Sequence, residues 1–318
     1  MRIIVTGAAG FIGSHLCERL LKDEQNIVIG IDGFIAPAQK PMKLKNSENI
    51  LKHPRFQFIN NNLLEIDWSK VLAKDDVIYH LAAMPGVRTS WGDNFRIYVE
   101  NNILVTHRLL EACKDVRLRK FIYASTSSVY GEKNGRVSED STTSPLSPYG
   151  VTKLTGEYLC KVYSENDGVP ITILRYFTVY GPRQRPDMAF HRFIECILKN
   201  KPIPVYGDGK QTRDFTYIGD CVEGTVAALY VENVLGEIIN IGGTERKSIL
   251  EIIEILEEIT GQKATINFVG KTRGEPRHTW ADITKAGKLL QYKPTVYLKE
   301  GLLHELKDLQ GIYKEMEK

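Results

Sequence analysis

Three residues near the middle of the chain are of the types that move protons at neutral pH. Tyr149 and Lys153, in YGVTK (149–153), stand four apart, which puts both on one face of a helix. An ammonium beside a phenol favours the phenolate, and a phenolate is a usable general base. Thr126, in STSSVYG (125–131), follows an apolar strand-like run, where its hydroxyl can bond a substrate hydroxyl and relay its proton. Alone, a Tyr-x-x-x-Lys pair is as easily a surface pair. Its weight comes from what precedes it in the chain.

The strand-like RIIVT (2–6) runs into GAAGFIGSHL (7–16), with glycines at Gly7, Gly10 and Gly13 and with Phe11 and Ile12 inside the turn. Small residues let a pyrophosphate approach the backbone, and the helix that starts there aims free N–H groups and a positive dipole end at it. Asp32 ends the next strand 19 residues after Gly13, where a carboxylate takes both ribose hydroxyls of NAD and repels the 2′-phosphate of NADP. Later strand ends and loops supply candidates for the cofactor wall: Asn62 and Leu63, then Leu81, Ala82 and Ala83, then Asn102.

These groups need a frame. Apolar runs at 2–6, 26–32, 55–60, 76–81, 120–125 and 170–176 read as buried strands, with helical patterns at 11–23, 95–115 and 148–166 between them. Such alternation predicts an α/β fold, a Rossmann-type doubly wound parallel sheet. After residue 176 the pattern loosens. Short strands mix with helices near 188–198, 220–231, 248–260, 282–290 and 299–316, which predicts a smaller, interleaved α/β substrate-binding domain. The expected division is 1–178 (plus about 215–240) for the NAD-binding domain, and 179–214 with 241–318 for the second. Segment 33–54 reads as a mobile loop.

Composition limits the partners. With 318 residues, 42% apolar, 25% charged and a net charge of +3, nothing demands nucleic acid or a membrane. Five cysteines, odd in number, spread out and without a Cys-x-x-Cys pair, argue against zinc or a disulfide framework and for a cytoplasmic protein. The histidines have no metal-ligand spacing, so no metal is expected.

Across nearly the whole chain, GAAGFIGSHL, HLAA, ASTSSVYG, YGVTK, LRYFTVYGPRQRPDMA, GDGKQTRDFTY and TWADITKA resemble the extended short-chain dehydrogenase/reductases, specifically the nucleotide-sugar epimerases and dehydratases. The resemblance implies tightly held, recycled NAD. Tyr149 would take a proton from a sugar hydroxyl while hydride leaves its carbon, and the keto-sugar would turn over before hydride returns to its other face. Within the family, the 4,6-dehydratases carry Asp-Glu after the catalytic threonine, and UDP-glucuronate decarboxylases usually have Glu at the place of Ser128. Here Ser127 and Ser128 follow Thr126. UDP-galactose 4-epimerases typically read RYFN, whereas this chain has Thr178.

The run therefore looks most like UDP-glucuronate 4-epimerases. A 4-epimerase of neutral UDP-sugars, a decarboxylase and a non-catalytic sugar-nucleotide or NAD(H) sensor are the alternatives. A uronate carboxylate needs donors, and Thr126, Ser127, Ser128 and Thr178 are four hydroxyls at strand ends. By the same resemblance Arg213 contacts the diphosphate, Pro204 and Tyr206 flank uracil, and Arg185 contacts diphosphate or sugar, with Arg88 reaching the sugar side. The family often has a second diphosphate arginine where this chain has Thr272, with Arg273 or Arg277 as substitutes. A homodimer through the helices at about 95–115 and 148–166 is also implied.

Overall fold

In β1 (Arg2–Thr6), Ile3 and Val5 point to one side and Ile4 to the other, and all three are fully buried. A strand apolar on both faces belongs in the middle of a covered sheet. The computed structural model, which describes residues 1–270 and 273–316, places it there. The other strands are β2 (Ile27–Ile31), β3 (Phe56–Ile59), β4 (Val77–His80), β5 (Lys120–Thr126), β6 (Ile171–Tyr176), β7 (Thr178–Tyr180), β8 (Ile203–Tyr206), β9 (Thr212–Tyr217), β10 (Ile238–Ile241), β11 (Glu245–Ser248) and β12 (Ile266–Val269). Seven of them form one parallel sheet in the order β10-β6-β5-β4-β1-β2-β3. The chain changes direction across the sheet between β1 and β4, which opens a crevice at their carboxyl ends. This is the doubly wound α/β sheet that the alternation predicts. Its seventh strand, β10, has no counterpart in the strand series read from the sequence.

The helices are α1 (Phe11–Leu21), α2 (Lys40–Leu51), α3 (Phe95–Tyr98), α4 (Val105–Cys113), α5 (Pro148–Asp167), α6 (Ala189–Leu198), α7 (Ile218–Tyr230), α8 (Ile249–Thr260), α9 (Thr284–Leu290) and α10 (Leu298–Met316). One face of the sheet packs on α1, α7 and α9 through Leu16, Leu20, Cys221, Val222 and Ala286. The other packs on α4 and α5 through Leu109, Leu110, Cys160 and Tyr163. A π-helical turn at Val99–Leu104 joins α3 to α4.

The later part of the chain builds a third core. Tyr180, Phe190, Ile194, Phe215, Ile252, Leu256, Leu302 and Leu306 pack together beside two small sheets, β11-β9-β7 and β12-β8. The turn GPRQRPDM (181–188) is fastened beneath by α10: Gly181 N–H donates to Glu305 and Arg183 N–H to Asp308, each at 2.9 Å.

One expectation fails. Segment 33–54 is largely ordered as α2, preceded by a 3-10 turn at Pro37–Gln39. Ile50 is the only apolar side chain that α2 buries, so the helix has almost no apolar periodicity to read.

Candidate active site

A single cleft runs along the carboxyl edge of the sheet. Gly7, Gly10, Phe11, Ile12, Gly13, Asp32, Asn62, Leu63, Leu81, Ala82 and Ala83 line one part of it. Thr126, Ser127, Ser128, Tyr149, Lys153, Thr178 and Arg185 line the other.

The first part fits a dinucleotide. Gly7 has φ +72°, and a Cβ there would stand 2.9 Å from the amide nitrogen of Ala82. A Cβ at Gly13 would stand 2.1 Å from the carbonyl oxygen of Gly7. These approaches keep the strand-to-helix turn tight, and no side chain caps the start of α1 at Gly10. The first N–H groups of the helix thus face the cleft without a side-chain acceptor, as a pyrophosphate requires. Asp32 is buried at the end of β2, accepts from Phe34 N–H at 2.9 Å, and receives Lys43 Nζ at 2.9 and 3.1 Å. Lys43 also lines the cleft. It sits on α2, a helix with too little apolar periodicity to reveal it in the sequence. Asn62 lines the cleft while its Oδ1 accepts from Leu64 N–H at 3.1 Å.

Asn102 corrects the sequence reading. It is fully buried behind the wall, where Oδ1 accepts from Met84 N–H at 2.6 Å and Nδ2 donates to Met84 O and Thr152 Oγ1, both at 3.0 Å. Asn101 and Asn102 both lie in the π-helical turn, and it is Asn101 that lines the cleft. His80 is bonded on both ring nitrogens. Its Nδ1 meets Thr6 Oγ1 at 2.8 Å and its Nε2 meets Thr106 Oγ1 at 3.1 Å, and burial holds its pKa down at about 3. Among the described residues no group of three or more His, Cys, Asp or Glu side chains is placed to hold a metal.

In the second part, Ser147 caps α5, accepting from Gly150 N–H at 3.1 Å, and sets Tyr149 and Lys153 on the cleft side of the helix. Burial raises the Tyr149 phenol above its ordinary pKa of 10.0, while a hydrogen bond with Thr126 and the charge of Arg185 pull it back. The sequence reading assigned that pull to Lys153. The Lys153 ammonium instead lies over the ring of Tyr123, 4.1 Å from its centroid, and burial lowers its pKa to about 8. Thr126 Oγ1 accepts from Ser128 N–H at 3.2 Å, which folds the 126–128 turn so that all three hydroxyls stay half-buried at the cleft. Thr178, at the start of β7, brings the fourth. Arg185 faces this group and pairs with Asp187 at 2.8 and 2.9 Å. Arg183 does not face the cleft residues. It bonds Glu18 at 2.7 Å and so ties the turn to α1.

The remaining candidates, Arg88, Pro204, Tyr206 and Arg213, are not among the residues that line this cleft. The Arg88 guanidinium lies on the Tyr206 ring at 4.2 Å, and its Nε meets Glu275 at 2.6 Å. Arg213 reaches the other oxygen of Glu275 at 3.3 Å. Pro204 is on β8, two residues before Tyr206. Thr272 lies outside the described residues. Of its two expected substitutes, Arg273 lies on Trp91 at 4.2 Å and Arg277 pairs with Asp208 at 2.8 Å.

A glycine turn at the first strand, an acidic end to the second, and a Thr–Tyr–Lys set on β5 and α5 define a dinucleotide-dependent enzyme of the short-chain type. Residues 3–242 match the NAD dependent epimerase/dehydratase family, and the chain belongs to it. It is 60% identical to UDP-glucuronic acid 4-epimerase from Bacillus cereus, solved in complex with UDP-glucuronic acid and NAD. That match covers 98% of this chain and 100% of the other, with a TM-score of 0.97. A Bacillus subtilis protein described as an uncharacterised UDP-glucose epimerase is 58% identical over 99% of both chains. The UDP-glucuronate 4-epimerase of Thermodesulfobacterium geofontis is 42% identical over 94% of this chain and 93% of its own.

Proposed function

We propose that the protein interconverts UDP-glucuronate and UDP-galacturonate by inverting C4 of the sugar on bound NAD. The observation that carries this reading is the set of four hydroxyls, Thr126, Ser127, Ser128 and Thr178, in the same cleft as Tyr149 and Lys153. NAD would be held by the Gly7–Gly13 turn, Asp32, Asn62, Leu63 and Leu81–Ala83, and when bound it supplies reversible two-electron oxidation at C4.

Tyr149 accepts the C4 hydroxyl proton, with Thr126 bonded to the same oxygen, and returns it after the sugar has turned. Lys153 is buried one helical turn on with its ammonium over the Tyr123 ring, and Thr126 and Arg185 are the neighbours that favour negative charge on the phenol. Oxidation at C4 makes the uronate a β-keto acid, which loses CO2 when its carboxylate stands perpendicular to the carbonyl plane. Several hydroxyls gripping the carboxylate hold it out of that geometry and bring no acid or base of their own. Arg185 adds positive charge beside them. At the nucleotide end, Arg213 takes the diphosphate, Pro204 and Tyr206 flank the uracil, and Arg88 serves the sugar side. The substrate lies between the NAD-binding domain, 1–178 with about 215–240, and the second domain, 179–214 with 241–318.

A homodimer through α4 and α5 belongs to the same reading. Val151, Tyr158 and Val162 recur along one side of α5 and are exposed, as is Leu104 at the start of α4. The free cysteines support a cytoplasmic setting, and among the described residues no helix is long and apolar enough to cross a membrane.

The test is to offer purified protein UDP-glucuronate or UDP-glucose in parallel, without added NAD, and to separate the products by ion exchange. UDP-galacturonate from the first supports the proposal. UDP-galactose from the second alone would make the enzyme a neutral-sugar epimerase, and a UDP-pentose as main product would make it a decarboxylase.

A further inference from the structure

Behind the cleft, one buried carboxylate ties the helix that carries Tyr149 and Lys153 to the carboxyl ends of β5 and β6. Glu157 lies on α5, one turn after Lys153 and two after Tyr149. Its Oε1 accepts from Ser125 Oγ and from Arg175 Nε, the latter at 2.9 Å, and its Oε2 accepts from Arg175 Nη2 at 2.6 Å. Ser125 and Arg175 are direct partners in the β5–β6 register, at the carboxyl ends of the two strands. The residue after Ser125 is Thr126, and three residues beyond Arg175 is Thr178. The guanidinium is also held from its other side. It lies on the Tyr130 ring at 4.6 Å, and Nη1 donates to the Glu139 carbonyl at 3.4 Å.

Ser125, Glu157 and Arg175 are each at most 4% exposed. A dry ion pair of this kind often contributes no more stability than apolar residues of the same size. What it does supply is orientation, because a two-bond guanidinium–carboxylate pair fixes both direction and distance. Here the fixed distance is that between α5, with its tyrosine and lysine, and the strand ends, with their four hydroxyls.

We propose that Ser125 and Glu157 are positioning residues that keep the carboxylate-gripping hydroxyls in register with Tyr149, and so suppress loss of CO2 from the 4-keto intermediate. This inference rests on the uronate reading above. Ser125 borders the cleft but its hydroxyl donates to Glu157, so Ser125→Ala removes that tie and leaves Thr126, Ser127, Ser128 and Thr178 in place.

The test compares Ser125→Ala and Glu157→Gln with wild type for kcat, KM, thermal midpoint, and the ratio of UDP-galacturonate to UDP-4-keto-pentose. Ser125→Ala leaves the ion pair intact, so it decides the matter even where Glu157→Gln does not fold. The expected result is KM for UDP-glucuronate within roughly twofold of wild type, kcat down on the order of tenfold, and the keto-pentose share up roughly threefold or more. A product ratio and kcat per folded protein equal to wild type, with only the thermal midpoint lowered, would overturn the inference and leave a packing role. A wild-type protein that makes no UDP-galacturonate overturns the uronate reading itself, so the two failures are distinguishable.

Discussion

Tyr149 sits where burial opposes ionisation and two neighbours, Thr126 and Arg185, favour it. That balance suits a group that must give its proton back within each turnover. The four hydroxyls carry the specificity argument. Thr178→Ala or Ser127→Ala is expected to raise the release of UDP-4-keto-pentose relative to UDP-galacturonate, measured by NMR during turnover. Lower rate with unchanged partitioning would count against the carboxylate grip. Lys153 supplies a separate test through pH. Its pKa in the folded protein is about 8 against an ordinary 10.5, so the folded protein holds this proton less tightly than the unfolded chain does. Between those values unfolding takes up a proton, and the contribution of Lys153 to stability rises with pH. Denaturant titration after removal of NAD should show that increment, about 3 kcal/mol, in wild type and not in Lys153→Met. An identical pH dependence in the two proteins would refute the assignment. The types of these residues were legible in the sequence, because hydroxyls, phenol and ammonium name their own chemistry. The partner of Lys153 was not. Tyr123 shares no helical or strand spacing with it, and only the packing of β5 against α5 brings the ring beneath the ammonium.

At the scale of elements, α5 does most of the positioning. Its first turn carries Tyr149, its second Lys153 and its third Glu157, while the opposite side leaves Tyr158 and Val162 more than half exposed. If that side is the subunit interface, Tyr158→Glu with Val162→Glu should halve the mass seen by light scattering after size exclusion. A wild type that already runs as a monomer would refute the interface. The long strands and amphipathic helices were readable because burial on one or both faces writes a period of two or 3.6 into the sequence. Helix α2 was not readable, since it buries one apolar side chain, and with it Lys43, the partner of Asp32, went unnoticed. Asn102 failed for a related reason. It lies within a π-helical turn, and no side-chain type announces one.

In the whole molecule the cleft lies between the carboxyl edge of the sheet and the later segments that bring Thr178, Arg185 and Met188 to it. The turn at 181–188 is pinned by Glu305 and Asp308 below and by Glu18 at the side. Its two arginines divide the work, with Arg183 fastening the turn and Arg185 facing the cleft. In the sequence they are two cations on one loop, and only their partners in the fold, Glu18 for Arg183 and Asp187 for Arg185, tell them apart. At the far end Glu275 holds Arg88 and Arg213 together. The arginines were visible as residue types, but the acid between them comes from a distant segment of the chain.

The central claim is that the C4 hydrogen of the uronate leaves and returns inside this cleft. UDP-[4-²H]glucuronate should therefore be incubated in ordinary water with purified enzyme and no added NAD, and the product read by NMR. The expected product is UDP-galacturonate that retains deuterium at C4. UDP-galacturonate that has exchanged its C4 deuterium for solvent hydrogen, or no UDP-galacturonate at all, would contradict it.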